Sequence, residues 1–180
     1  MIRSLLALVM MGGLALSARA DSTPVSGTLT GNSTITPTSN PAVFDSSFSG
    51  SGTDSTSGAY TKTHTGTTTF TSLTTFIASG TFTDVFAQGT LFGTFSETGT
   101  LTATGSVDIA LDTIIGGTGA FAGDTGEVTT TGTSTRTSPT TSTFTGTYTG
   151  FITTPEPSSL ALMLTGIGLL PLMRKRLARG

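Results

Sequence analysis

His64 is the sole histidine of this 180-residue chain and stands in Lys62-Thr63-His64-Thr65. With a serine and a carboxylate beside it, a histidine can act as general base for acyl transfer. The chain has neither a nucleophile-elbow motif nor a cysteine, so His64 in its polar strand or loop reads as a surface residue. Asp108 and Asp112 lie on the polar parity of a strand pattern. They read as solvated charges that protect an edge strand, with a weak Ca²⁺ site built from one of them and loop carbonyls as the alternative. Gly117, Gly119 and Gly123 imitate a dinucleotide-binding loop, but that chemistry needs a helix directly after it, and Gly126 with the following Thr run excludes one. The same glycines imitate a calcium nonapeptide repeat, yet Phe121 takes the place of its aspartate and the unit occurs once. No paired-carboxylate or zinc spacing is present, and no catalytic residue, metal or cofactor is expected.

Other reactive features sit at the two ends, where the chain reads as a substrate. Arg3 precedes an apolar run from Leu5 to Leu16, closed by Ser17-Ala18-Arg19-Ala20. Ala18 and Ala20 give the small-x-small pattern that the pockets of signal peptidase accept, and cleavage after Ala20 leaves Asp21 as the first mature residue. The run is too short to span a membrane comfortably. At the other end Pro155 and Pro157 bracket Glu156 and force an extended tripeptide. Ser158 and Ser159 can cap the apolar helix that follows to Met173. Its 16 residues cover only about 24 Å at ~1.5 Å per residue, short of a ~30 Å hydrocarbon core. Gly166, Gly168 and Pro171 weaken it further, which suits a temporary stop better than a permanent anchor. Arg174, Lys175, Arg176 and Arg179 should stay on the cytoplasmic side.

The order of these parts, Pro155-Glu156-Pro157, short apolar helix, basic end, resembles the PEP-CTERM sorting signal of Gram-negative bacteria. The resemblance covers residues 154–180. It implies that an exosortase-type membrane protease recognises Pro155, Glu156 and Pro157 and removes the tail. It also implies an inner-membrane intermediate, then release to the periplasm, outer surface or extracellular matrix, with a link to exopolysaccharide and biofilm export. The chain therefore divides into a signal peptide (1–20), an exported domain (21–153) and a sorting signal (154–180).

The exported segment holds two basic residues, Lys62 and Arg136, against nine acidic ones, a net charge of −7 where the whole chain carries −2. Six of the eight Lys and Arg belong to the ends. A domain with two cations cannot neutralise phosphates, which argues against nucleic acid and anionic lipid as partners. The chain has no cysteine, so an exported domain here forgoes disulfides and relies on packing.

Its Thr, Gly and Ser content could suit a disordered stalk, but ten of the eleven Phe recur between 44 and 144 at strand-like spacing. Phe70, Phe76, Ala78, Phe82 and Phe86 share even parity, the period-two mark of strands with one buried face. Gly80 is expected to interrupt that run as a turn or bulge. After Gly89-Thr90 the apolar parity becomes odd through Leu91, Phe95, Leu101, Ala103, Val107, Ile109 and Leu111, as a tight reversal would produce. Residues 24–42, with Pro24, Asn32, Pro37 and Pro41, hold at most one strand, and Gly50 to Gly58 reads as the longest loop. No 3.6-residue period occurs in 21–153. About eight short strands with frequent turns predict an all-β, Thr/Gly-rich antiparallel barrel or sandwich, flanked by a signal helix and a C-terminal transmembrane helix.

Ile114-Ile115-Gly116-Gly117-Thr118-Gly119-Ala120-Phe121-Ala122-Gly123-Asp124-Thr125-Gly126 resembles a segment of dirigent and allene-oxide-cyclase-like β-barrels. In that reading the glycines permit positive φ and close chain approach, while Phe121 plugs the barrel or sheet end. The first expectation for function is a non-enzymatic surface or extracellular-matrix β-protein whose partners are signal peptidase, an exosortase-type protease, the inner membrane and exopolysaccharide. The alternative is a barrel whose Phe-lined interior binds a small apolar ligand. A cyclase-like enzyme rests on fold analogy alone.

Overall fold

The computed structural model describes residues 20–155. Alternation of small or apolar side chains with Thr and Ser produces eight antiparallel strands: β1 (Asp21–Pro37), β2 (Val43–Asp54), β3 (Gly58–Phe70), β4 (Thr75–Phe86), β5 (Gly89–Leu101), β6 (Gly105–Gly119), β7 (Thr125–Arg136) and β8 (Thr141–Thr154). They follow one another in chain order and close into a barrel. Closure answers the barrel-or-sandwich question and satisfies backbone groups that an open sheet would leave at its edges. Among the described residues, no helix is long and apolar enough to cross a membrane. The expected signal helix, the transmembrane helix, Ala18, Glu156 and Pro157 lie outside the described residues.

The core is the barrel lumen, where Val25, Leu29, Phe82, Phe86, Leu91, Phe95, Ile114, Phe121, Tyr148 and Ile152 are buried. Phe82 and Phe86 point inward as their even parity predicts, and the shift to odd parity at Leu91 and Phe95 is also present. A reversal at Ala87-Gln88 joins β4 to β5. Phe121 packs on Phe86 with ring centroids 5.1 Å apart at one end of the lumen. Gly119 (φ +63°) and Gly123 (φ +86°) occupy the left-handed region and turn the chain around it.

Several expectations are corrected. The odd parity does not continue into β6: Val107, Ile109 and Leu111 face outward, with Ile109 53% exposed, while Ser106, Asp108 and Asp112 face inward. Hydrophobicity misleads here because outward Ile and Val suit a pleated surface as well as inward ones do. Gly80 lies inside β4, where Phe95 covers it, and forms neither turn nor bulge. The one register irregularity between β5 and β6 sits at Phe92/Gly93, where Ile115 is the extra residue. Gly50 to Asp54 belong to β2, so the expected long loop shrinks to the connection between Asp54 and Gly58. Residues 24–42 do hold one strand, but it is the longest of the eight and carries Pro24 and Asn32 within it.

Candidate functional site

The lumen contains charge at its middle. Lys62 on β3 is 5% exposed, and its Nζ donates to Asp112 Oδ2 at 2.9 Å and Asp84 Oδ2 at 3.3 Å. Asp84 Oδ1 lies 3.2 Å from the same nitrogen, and the Phe82 ring centroid lies 4.1 Å away. Lys62 and Asp84 are direct register partners on β3 and β4, whereas Asp112 comes from β6. Burial alone would lower the Lys62 pKa, but the charges of Asp84 and then Asp112 outweigh it and hold the ammonium above its usual range. Burial lifts Asp84 to about 6 against the opposing pull of Lys62. One ammonium thus faces two carboxylates in a space of only about 30 Å³.

Beside this cluster, Tyr148 Oη donates to Asp54 Oδ2 at 2.8 Å. Asp54 Oδ1 accepts from the backbone N–H groups of Thr56 and Ser57 at 2.8 and 2.7 Å, which fixes the turn from β2 to β3. Tyr60 stacks on Phe86 at 5.1 Å and its hydroxyl donates to the Thr28 carbonyl at 3.3 Å. Burial raises both phenols, so they stay neutral hydrogen-bond donors.

Toward the end of the barrel formed by the β1–β2, β3–β4, β5–β6 and β7–β8 connections, the lumen widens into a cavity of about 130 Å³. Ser46, His64, Phe76, Glu97, Asp108 and Arg136 are among the residues that line it. Ser134 Oγ donates to Asp108 Oδ2 at 2.7 Å, while Asp108 Oδ1 and Ser46 Oγ are buried without a partner. Asp108 is 3% exposed, and burial raises its pKa against the lowering effect of the Ser134 bond. Burial, then the charges of Asp108 and Asp112, push Glu97 up to about 8. His64 stacks on Phe95 at 4.5 Å and meets Phe48 at a tilt at 4.9 Å, and burial followed by the Lys62 charge lowers it to about 4.

The residues singled out from sequence are therefore placed differently from expectation. His64 is inside the barrel as a neutral aromatic plate, a poor base at neutral pH. Asp108 and Asp112 protect no edge, because the closed sheet leaves them none; both point inward at separate levels. Among the described residues, no group of three His, Cys, Asp or Glu is arranged to hold a metal ion. Lys62 is not among the residues singled out from sequence, although Tyr60, Lys62, His64 and Thr68 share the inward parity of Phe70, the signal that points to it. Ala20, Asp21 and Pro155, from the two expected processing sites, are exposed.

Together these features define a closed eight-stranded antiparallel barrel with a buried charged cluster and a polar cavity at one end. No protein-family model matches the sequence, and no curated protein matches it. The solved structure of a pterocarpan synthase dirigent protein is similar with a TM-score of 0.41 and 15% identity, over 78% of this chain and 89% of that one.

Proposed function

We propose that this chain is an exported, surface-directed barrel of the cell envelope or extracellular matrix, non-enzymatic, matured by signal peptidase and by an exosortase-type protease, and linked to exopolysaccharide. The observation that supports it most is where the sheet starts and stops. β1 begins at Asp21, the expected first mature residue, and β8 ends at Thr154, directly before Pro155. Scission at either expected site would leave the eight strands intact. Replacing Pro155, Glu156 and Pro157 together by alanine should leave the tail attached and the protein in the inner membrane. Unchanged maturation, read by mass spectrometry of the product, would refute the reading.

The cavity near Asp108 favours a second reading, in which the barrel also holds a small ligand. The part of the lumen around the charged cluster and Phe86 is filled by its own side chains, with residual space of about 30 Å³. The polar end has about 130 Å³ and two buried oxygens without partners. Its preferred occupant is a small molecule that donates hydrogen bonds, in place of the apolar ligand expected from the Phe content.

A further inference from the structure

Lys62 is the only lysine between Asp21 and Thr154, and its amine is buried against two carboxylates. Three facts bear on its chemistry. The nitrogen touches two carboxylates, at 2.9 Å for Asp112 and 3.2 Å for the nearer Asp84 oxygen. The three side chains lie among Leu29, Phe82, Leu91 and Ile114, in a pocket with room for little more than a water molecule. And Asp84 Oδ1, though 3.2 Å from Nζ, makes no well-aligned hydrogen bond. A simple buried ion pair needs one carboxylate, and its desolvation cost is large even then. Two carboxylates around one amine, in a buried site, supply a nucleophile, an electrophile and a proton carrier in contact.

We propose that Lys62 and Asp112 join in an intramolecular isopeptide bond, with Asp84 as the catalytic acid and base. The ammonium gives a proton to Asp84, which passes it to the Asp112 carboxylate, and the freed lone pair on Nζ attacks Cγ of the neutral Asp112 acid. The C–N bond forms as a C–O bond of the Asp112 carboxyl group breaks. Two of the three protons on Nζ leave with that oxygen as water, relayed through Asp84, and the third remains as the amide N–H. Charge balances, because an ammonium and a carboxylate become a neutral amide and one water. No oxidant, metal or co-reactant is required. The low-dielectric surroundings favour this neutral product over the separated charges.

The consequence is a tie from β3 to β6 through the lumen of a barrel that has no cysteine to make a disulfide. Asp112 is the acceptor because its oxygen approaches Nζ most closely, and Asp84 is the carrier because both of its oxygens straddle the nitrogen. Loss of the Asp84 proton site should therefore stop the reaction without removing either joined group.

The test is intact mass spectrometry of the purified full chain under denaturing conditions, followed by digestion. The expected result is a mass lower than the sequence mass by one water, and a branched peptide joining the Lys62 and Asp112 segments. Lys62→Arg keeps the charge and should have its full sequence mass, and so should Asp84→Asn. A wild-type chain of full sequence mass after folding overturns the proposal, whatever the variants do and whether or not they fold. A branched peptide in Asp84→Asn would overturn the part assigned to Asp84.

Discussion

Phe82 on β4 lies directly opposite Gly93 on β5, and two residues away the relation is reversed, with Gly80 opposite Phe95. Phe76 faces Gly99 and Phe86 faces Gly89 in the same pair of strands. The rings of Phe76, Phe82 and Phe95 lie over facing glycines that have no side chain, which lets an eight-stranded barrel take so many aromatics without bursting. A Cβ built on Gly93 would come within 2.9 Å of the Phe82 ring, closer than real contacts allow, with backbone nearer still. Gly93→Ala should destabilise the barrel by about 1–3 kcal/mol through overpacking. Urea unfolding followed by far-ultraviolet circular dichroism measures it; a loss below a few tenths would mean that the ring has free room.

With Lys62 and Asp112 unjoined, Lys62→Met removes the only cation from the lumen centre and leaves Asp84 and Asp112 facing each other in a buried site. Breaking a buried pair in this way costs about 3–5 kcal/mol. Adding Asp84→Asn and Asp112→Asn to Lys62→Met should recover part of that loss. If the triple variant were no more stable than the single one, the cost would have to come from packing of the lysine stem.

Stability should depend on pH in a signed way. Glu97 is raised from 4.5 to about 8, so the folded state keeps a proton that the unfolded chain has released. Its contribution is fully present below the unfolded value and is lost as pH rises through about 8. Asp84, raised from 3.8 to about 6, acts in the same direction over a lower window. His64 is lowered from 6.5 to about 4, so its contribution is lost as pH falls through that range, opposing the other two. Between pH 6.5 and 8 only Glu97 of these three still titrates. The wild-type midpoint should fall across that interval, and Glu97→Gln should flatten it. A flat wild-type profile would show that Glu97 reaches water.

Asp108→Asn tests the cavity reading. It replaces a charged acceptor with an amide of the same shape while retaining an oxygen for Ser134. Small alcohols and primary amines should protect the wild type against thermal unfolding and protect this variant at least several-fold less. Equal protection would place any binding elsewhere.

Much of the architecture could be read from the period-two pattern, and the reason is visible in particular residues. Phe70, Phe82, Phe86, Leu91 and Phe95 follow their parity because a ring facing water on these strands would lose its burial for no gain. β6 defeats the same rule. There Ile109 stands outside and Asp112 inside, because Asp112 meets a lysine 50 positions earlier that no local pattern connects to it. The charged cluster was illegible for that reason, since its members come from three strands and assemble only when the sheet closes. Gly50 and Gly52 read as loop residues in the sequence and yet belong to β2. Their Thr30 and Thr28 neighbours on β1 approach closely enough that glycine is the residue that fits.

Closure has a bearing on proteolysis. Many proteases hold their substrate as one more strand against their own chain, so they need backbone donors and acceptors that are still vacant. Within the barrel those groups are engaged on both sides, and pulling out any strand would cost two ladders at once. Exposed Pro155, beyond the last ladder, marks where a cutting enzyme would first find extended backbone available. The body of the molecule is thereby shielded from the class of enzyme that its own tail is proposed to invite.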